Sequence, residues 1–273
     1  MHNRTVNGIP QLGLGTFGRT GDDGLRALLD AIEIGYRHID TAQSYGTEEN
    51  VGKAVERSGL PRDTFFVTTK VADTNLVRGD FLLSVEKSLE TLALDRIDLL
   101  LIHWPSARDA VPFADYMEAL AETRARGWAA RIGVSNFPIA DLKRAEAVIG
   151  SGVLSTNQVE LHPFLQSPRL CDYARSCGLP LTAYMPLAKG RVSDDPVLRE
   201  IAARHNVTAA AISLAFLMGE GHIVIPASSN AGRLRDNHAA LSVTLDTDEV
   251  DALRALDRGE RMIDPDKAPS WDD

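Results

Sequence analysis

Four side chains that can hold or move a proton follow three apolar segments in the first 103 residues. Asp40 and Tyr45 occur in HIDTAQSYG, Lys70 ends FFVTTK, and His103 ends IDLLLIH. A free tyrosine, with a pKa of about 10, is a reluctant acid at neutral pH, and a neighbouring ammonium lowers that pKa. An aspartate keeps the ammonium charged, and a histidine N–H can hold a carbonyl oxygen beside the phenol. The four residues therefore predict a general acid and an oxyanion site facing a carbonyl.

Each of these residues also has a structural interpretation. Asp40 and Thr41 can satisfy the backbone of a turn, and Tyr45 can simply pack. Lys70 can be a solvated strand terminus or form a structural ion pair with Asp40, and His103 can be a hydrogen-bonded structural residue. Lys70 could also act as a Schiff-base amine, as in an aldolase, but the partner carboxylate opposes the low lysine pKa that this chemistry requires. These motifs contain no metal cluster, no Cys/His pair and no G-x-S-x-G elbow. A reduction at this site would therefore need a cofactor to supply hydride.

The elements that must position these residues follow a regular alternation. Strands are predicted at 12–17, 36–42, 65–70, 97–103, 130–135, 156–160, 181–187 and 222–228. Helices are predicted at 22–34, 47–58, 78–93, 113–126, 138–149, 167–177, 195–204 and 230–239, with additional helices at 208–219 and 247–257. Eight β/α units in 273 residues predict an α/β fold, a (β/α)8 TIM barrel, as one domain over 1–273 with a C-terminal tail over the barrel rim. Asp40, Lys70 and His103 then fall at the carboxyl ends of successive strands, where barrel active sites lie.

A doubly wound dinucleotide-binding sheet is the competing architecture. It requires a G-x-G-x-x-G turn that follows the first strand and opens a helix directly. The nearest segment is GLGTFG, but Thr16 and Phe17 continue the strand, and the next helix begins only after Asp22. The barrel is therefore the favoured interpretation.

Composition and charge narrow the classes of partner. The chain is 44% hydrophobic and 25% charged, with a formal net charge of −9. That charge provides no general attraction to nucleic acid or to an anionic membrane, and no apolar stretch approaches the length of a membrane span. Cys171 and Cys177 form no metal motif, which favours a reduced, cytoplasmic setting. We expect neither a metal, a nucleic acid nor a membrane as a partner.

Several longer motifs resemble those of the aldo-keto reductases. They are LGLGTF, GYRHIDTAQSYGTEENVGKAV, FVTTK, IDLLLIHWP, RIGVSNF, NQVELHPFLQ and VIPASS, in that order across nearly the whole chain. LIHWPS, YMPLAKG, MGEGHIVIPASS and APSWDD are most similar to the short bacterial branch, the 2,5-diketo-D-gluconate reductases that also reduce methylglyoxal. The resemblance implies a monomeric, cytoplasmic enzyme that uses NADPH to reduce small aldehydes and ketoaldehydes. The alternative within the family is a regulatory subunit that senses the cofactor with little turnover.

The resemblance also implies a role for individual residues. Tyr45 is the general acid, Lys70 and Asp40 tune it, and His103 orients the carbonyl. The cofactor would be bound by Thr16, Ser135, Asn136, Gln158, Tyr184, Leu187, Lys189, Ser228, Arg233 and Asn237. The substrate pocket would be lined by Phe17, Trp104 and Trp271. Ser135 and Asn136 have a second interpretation as a helix cap ahead of Phe137.

One position departs from the family pattern. Ala227 stands where aldo-keto reductases commonly carry a lysine that reaches the 2′-phosphate of NADPH. Arg233 remains, and an arginine can hold a phosphate in a bidentate manner. NADPH is the expected cofactor, and the missing lysine leaves the use of NADH open.

Overall fold

The computed structural model describes residues 4–272, which contain ten short strands and ten α-helices. A hairpin of β1 (Thr5–Val6) and β2 (Ile9–Pro10) comes first. The strands that follow are β3 (Gly13–Gly15), β4 (His38–Asp40), β5 (Phe66–Val71), β6 (Ile97–Ile102), β7 (Ala129–Ser135), β8 (Leu154–Glu160), β9 (Leu181–Tyr184) and β10 (Ile223–Val224). The helices are α1 (Gly21–Ile34), α2 (Glu48–Arg57), α3 (Arg78–Leu92), α4 (Phe113–Ala125), α5 (Ile139–Ile149), α6 (Pro168–Ser176), α7 (Pro196–His205), α8 (Ala209–Gly219), α9 (Ala231–His238) and α10 (Thr247–Arg254).

Strands β3 to β10 form one parallel sheet in which each strand pairs with its neighbour in the chain. A parallel bridge between Leu12 and Val224 joins the two ends of this sheet. Backbone hydrogen bonds from Val224 to Gln11 (2.8 Å) and from Gly15 to Pro226 (3.0 Å) complete the closure. The predicted (β/α)8 barrel is confirmed.

The alternation of side chains along each strand decides which residues enter the barrel. On β6, Leu99 and Leu101 are buried in a small inner cluster with Ile9 of the hairpin and Ile223 of β10. Leu100 and Ile102 belong instead to the larger core that separates the strands from the surrounding helices. Because strand side chains have a period of two, His103 lies on the same inner side as Leu99 and Leu101.

Local signals begin several of the outer helices. Asp195 accepts the backbone N–H groups of Val197 and Leu198 ahead of α7, and Thr208 caps α8. Asp246 and Glu249 form a capping box at the start of α10. These short polar side chains satisfy N–H groups that have no partner within the helix, which is why the predicted helix starts agree closely with the structure.

The strand ends agree less well with the sequence-based bounds. The segments predicted as 12–17, 36–42 and 222–228 are observed as strands of three, three and two residues. Their last residues leave the sheet to form the loops at the barrel mouth. The hairpin of β1 and β2 and the short 3-10 turns were not predicted. Helix α10 ends at Arg254, three residues before the predicted end.

After α10 the chain runs without a helix or strand across the carboxyl-end rim of the barrel, as predicted. The backbone N–H groups of Met262 and Ile263 donate to the buried carboxylate of Glu160. Lys267 forms an ion pair with Asp73 on the opposite side of the rim. We call residues 258–272 the C-terminal tail.

Within residues 4–272, no single helix has the length and hydropathy needed to cross a membrane. Helices α7 and α8 pass such a test only as a pair, and they are bent by 91° where they meet.

Candidate active site

The four predicted proton-handling residues meet at the carboxyl ends of β4, β5 and β6. Lys70 Nζ forms a buried ion pair with Asp40 Oδ1 and donates to the carbonyl oxygen of Thr41 at 2.8 Å. The other Asp40 oxygen accepts Gln158 Nε2 at 2.7 Å. Because the carboxylate has hydrogen-bond partners on both oxygens, it is held in one orientation behind the lysine.

The phenol lies between the lysine and the histidine. Tyr45 ends a 3-10 turn, Gln43–Tyr45, and Lys70 Nζ is 4.9 Å from the centroid of its ring. The Tyr45 hydroxyl oxygen lies 3.4 Å from His103 Nε2. Ser44, which was not predicted, places its Oγ 3.4 Å from His103 Nδ1. The imidazole therefore has a hydroxyl group near each of its nitrogens.

The electrostatics of the phenol differ from the prediction made from sequence. Burial raises the pKa of Tyr45, and Lys70 opposes this rise without cancelling it, so the net pKa is above 10.0. The expectation of a lowered tyrosine pKa was therefore wrong in its net direction. The physical reason is desolvation, because the phenolate loses more by leaving water than it gains from the ammonium.

The two basic groups have defined charge states. Burial lowers the pKa of His103 to about 3, and Lys70 adds to that effect, so the imidazole is neutral near pH 7. For Lys70, burial alone would lower the pKa, but Asp40 and Tyr45 outweigh it and the net pKa is raised. Lys70 is fully buried and charged, which argues against a nucleophilic Schiff-base amine.

A cavity of about 1200 Å³ includes this site. Asp40, Tyr45 and His103 line part of it, which we call the inner end. Pockets for drug-sized ligands are usually about 300–1,000 Å³, so the volume suits a larger, extended molecule. Among the predicted cofactor residues, all ten line the cavity: Thr16, Ser135, Asn136, Gln158, Tyr184, Leu187, Lys189, Ser228, Arg233 and Asn237.

Three polar side chains form the cavity wall next to the phenol, and most of their hydrogen bonds are internal. Asn136 Nδ2 donates to the His103 carbonyl (3.0 Å) and to Ser135 Oγ (3.1 Å), and its Oδ1 accepts the Tyr184 hydroxyl (2.9 Å). Ser135 Oγ donates to the carbonyl of Gln158. Neither Ser135 nor Asn136 caps α5, whose N-cap position is Pro138. The helix-cap interpretation is therefore wrong.

The remaining capacity of these side chains faces the cavity. Gln158 uses one Nε2 hydrogen on Asp40, which leaves one donor, and its Oε1 accepts no hydrogen bond among residues 4–272. Asn136 Oδ1 retains a second lone pair beyond its bond with Tyr184. The wall can therefore offer a ligand amide two hydrogen-bond acceptors, Gln158 Oε1 and Asn136 Oδ1, and one donor, Gln158 Nε2.

The loop after β9 forms another part of the cavity wall. Leu187, Lys189 and Arg191 line it, and Lys189 adopts a left-handed backbone with φ of 55°. Lys189 is exposed and has no ion pair with any residue that the structure describes. Arg191 forms an ion pair with Glu260 of the C-terminal tail, so the loop and the tail are connected over the cavity.

The part of the cavity that is lined by α9 and by the segment between β10 and α9, which we call the far end, combines one arginine with an acid. Arg233 is exposed, and its guanidinium has no ion pair within residues 4–272. Ala227 and Asp236 line the same end. This end therefore has one unpaired cation and lacks the lysine that the family commonly supplies at the position of Ala227.

On the substrate side, the structure places two of three predicted aromatic residues in the cavity wall. Phe17 is 67% exposed and packs edge-on against Tyr45 at 5.1 Å, while Trp104 is nearly buried. Trp271 is not among the residues that line this cavity. It packs against Trp104 at 6.1 Å and donates its Nε1–H to Asp264.

Two lining residues carried no signal in the sequence. Ile263 reaches the cavity from the tail, and Arg19 reaches it from the loop after β3. Ile263 is far from the other site residues in the chain, so only the path of the tail brings it there. Arg19 follows the glycine-containing segment GLGTFG, and nothing in that segment indicates that the arginine reaches a cavity. No cluster of three His, Cys, Asp or Glu side chains suited to a metal occurs in the part of the chain that the structure describes.

Comparisons with known proteins agree with this geometry. Residues 8–258 match the model of the Aldo/keto reductase family. The chain is 42% identical to methylglyoxal reductase DkgB of Salmonella typhimurium, over 97% of this chain and 99% of that protein. A solved structure assigned as a 2,5-diketo-D-gluconic acid reductase B superposes with a TM-score of 0.94 and 40% identity, covering 99% of this chain and 97% of the other.

A third relative carries a bound nucleotide. The crystal structure of an aldo-keto reductase complexed with NADPH matches with a TM-score of 0.88 and 30% identity, covering 94% of this chain and 87% of that one. The extent of these matches and the arrangement of Asp40, Tyr45, Lys70 and His103 lead to one conclusion. The chain is an oxidoreductase that belongs to the aldo/keto reductase family.

Proposed function

We propose that this protein reduces small aldehydes and ketoaldehydes, of the methylglyoxal and 2,5-diketo-D-gluconate class, with NADPH as the hydride source and Tyr45 as the proton donor. The observation that carries the proposal is the phenol itself. It lies at the inner end of the cavity, 3.4 Å from a neutral His103, with the buried Lys70–Asp40 pair behind it. The relatives named for methylglyoxal and diketogluconate reduction support the substrate class.

The residues of the cavity fit a nicotinamide dinucleotide. The free acceptors of Gln158 and Asn136 suit the carboxamide, whose amide nitrogen carries two donor hydrogens. The Tyr184 ring, held by its hydrogen bond to Asn136, offers a flat apolar surface for the nicotinamide. Lys189 would lie beside the pyrophosphate, and Arg233 beside the 2′-phosphate.

When bound, the cofactor would supply hydride to the carbonyl carbon. The protein would hold the carbonyl oxygen between the Tyr45 hydroxyl and His103 Nε2. Because the imidazole is neutral, it can carry its hydrogen on Nε2 and donate a hydrogen bond to that oxygen. Tyr45 would transfer its proton to the oxygen as charge develops on it. Lys70 would stabilise the phenolate that remains, and Asp40 would keep Lys70 charged and oriented.

The outer part of the cavity favours small substrates. The segment between β6 and α4 is short, with one 3-10 turn at Ala107–Asp109, and Phe17 is largely exposed. An open, shallow cleft buries little of a large apolar ligand. We therefore expect higher kcat/KM for methylglyoxal and small aromatic aldehydes than for steroid ketones. The expectations of one domain over 1–273, a monomer and a cytoplasmic location stay predictions.

The central test is Tyr45→Phe, assayed by NADPH oxidation across methylglyoxal, aromatic aldehydes, keto sugar acids and a steroid ketone. We expect kcat to fall by at least about 100-fold, the lower end of the contribution of general acid catalysis. NADPH affinity, measured by fluorescence quenching, should change little because the phenol is not a main contact of the cofactor. Near-normal turnover by Tyr45→Phe would refute the mechanism. Tight NADPH binding without turnover by the parent would favour the regulatory alternative.

A further inference from the structure

The side chain of Gln43 links the turn that carries the phenol to two other elements. Its Nε2 donates to Ser84 Oγ at 3.0 Å and to Ser88 Oγ at 3.1 Å, both on α3. Its Oε1 accepts the backbone N–H of Ala72 at 2.9 Å and Asn75 Nδ2 at 3.1 Å. A carboxamide has two donor hydrogens and two acceptor lone pairs. All four are used.

These contacts link the segment that carries Tyr45, the proposed acid, to the segment that carries the Lys70 ammonium. Gln43 begins the 3-10 turn that ends at Tyr45, and Ala72 comes two residues after Lys70. A single amide therefore ties the turn bearing the phenol to the segment that leaves the strand bearing the lysine. Gln43 does not line the cavity, so it has no direct contact with a ligand there.

We propose that Gln43 is a positioning residue for proton donation, which holds the ring of Tyr45 at its 4.9 Å distance from Lys70 Nζ. This inference rests on the proposed function. The ammonium opposes the effect of burial on the phenol, and the interaction of two charges weakens as their separation grows. A turn released from Ala72 and α3 allows the ring to move away from the lysine while it remains buried. The phenol then becomes a weaker acid.

The test compares Gln43→Met with Gln11→Met. Gln11 is a buried glutamine, whereas Gln43 is half-buried. The Nε2 of Gln11 likewise donates to two oxygens, the carbonyls of Met218 (2.7 Å) and His222 (3.0 Å), away from the cavity. Both variants should lower Tm. Only Gln43→Met should lower kcat, by about tenfold, a part of what general acid catalysis contributes. Its KM should change less than twofold. The alkaline limb of kcat/KM should move to higher pH, and the solvent deuterium isotope effect on kcat should increase.

A milder variant covers the case in which Gln43→Met does not fold. Ser84→Ala removes one acceptor from Nε2 and leaves the contacts of Oε1 with Ala72 and Asn75. Ser84→Ala should also move the alkaline limb of kcat/KM to higher pH and increase the solvent deuterium isotope effect on kcat, by smaller amounts than Gln43→Met.

The proposal is overturned if Gln43→Met, or Ser84→Ala in its place, keeps the pH limb and isotope effect of the parent and loses no more kcat than Gln11→Met. Gln43 would then only stabilise the fold. A different result would refute the proposed function itself. In that case Tyr45→Phe would retain turnover, whatever the Gln43 variants do.

Discussion

At the scale of single residues, the site is a balance between burial and charge around one phenol. Burial makes Tyr45 a weaker acid, and Lys70 opposes that change. The function of Lys70 is thus to limit a rise in the pKa of the phenol. Asp40 has the opposite direct effect on the phenol, yet it raises the pKa of the fully buried Lys70 against the effect of burial and so helps to keep the lysine charged.

Lys70→Met tests this balance because it removes the ammonium and keeps much of the side-chain volume. We expect kcat to fall by at least about 100-fold, as the general acid weakens. Stability should also fall, by about 3–5 kcal/mol, because a buried carboxylate loses its partner. Activity by NADPH oxidation and unfolding by urea measure the two effects separately.

Two controls separate catalysis from stability in that experiment. Lys143→Met removes another lysine that lies over a tyrosine ring, 5.5 Å from the centroid of Tyr173 on the surface. It should leave the activity and the stability nearly unchanged. The double variant Asp40→Asn/Lys70→Met removes both buried charges and should recover stability but not activity. If the double variant regained activity as well, Lys70 would be a structural residue only.

At the scale of elements, the C-terminal tail is held over the cavity by a few buried contacts. Glu160, at the end of β8, is 1% exposed. It accepts the backbone N–H groups of Met262 (2.8 Å) and Ile263 (2.9 Å) and lies 3.1 Å from His162 Nε2. Hydrogen bonds to a charged group are about twice as strong as neutral ones. This carboxylate therefore determines where Ile263 meets the cavity.

Glu160→Gln should loosen the tail without unfolding the barrel. The amide keeps one acceptor but turns a donor towards a backbone N–H, which leaves that N–H unsatisfied at a cost of about 1–3 kcal/mol. We expect faster hydrogen exchange at Met262 and Ile263, by roughly 5- to 150-fold for that cost, and a higher KM for the carbonyl substrate. Glu249→Gln, at the capping box of α10, is the matched control and should leave exchange in the tail unchanged. Unchanged exchange in Glu160→Gln would contradict the anchoring role.

At the scale of the whole molecule, affinity for an anionic cofactor must be local. The net charge of −9 repels a dinucleotide at long range, and this repulsion is screened beyond a Debye length of about 8–10 Å in physiological salt. Discrimination between NADPH and NADH depends on the one group that differs, the 2′-phosphate. Of the residues at the far end of the cavity, Arg233 has an unpaired charge and Ala227 has none.

We therefore expect NADPH to bind more tightly than NADH, and Arg233→Ala to remove most of that preference. A hydrogen bond to a charged group contributes about 1.5–3 kcal/mol, roughly ten- to a hundred-fold in Kd. Ala227→Lys should tighten NADPH alone, with a gain that shrinks as salt is added. Fluorescence quenching with both cofactors on the three proteins measures these changes. Equal losses of NADPH and NADH in Arg233→Ala would show that the arginine contacts another part of the nucleotide.

The sequence by itself determined the barrel fold and the location of the candidate active site at the carboxyl ends of the strands. Hydrophobic patterns specify which segments are strands and helices, and the period of two along a strand specifies which side chains share the inner face. Lys70 and His103 end such patterns, so their convergence follows once eight β/α units close into a barrel. The motif resemblance added the residues that are predicted to bind the cofactor, and these residues line one cavity.

Only the tertiary structure decided how these groups are supported and how their acidity is set. Glu160 meets Met262 across 102 residues of chain, and Gln158 meets Asp40 across 118. No local pattern predicts such pairs, because they depend on the paths of loops and of a tail without regular structure. The direction of the pKa shift of Tyr45 was predicted wrongly because that shift is dominated by burial. Desolvation depends on how completely the finished fold excludes water from a group, and residue types and spacing do not contain that quantity.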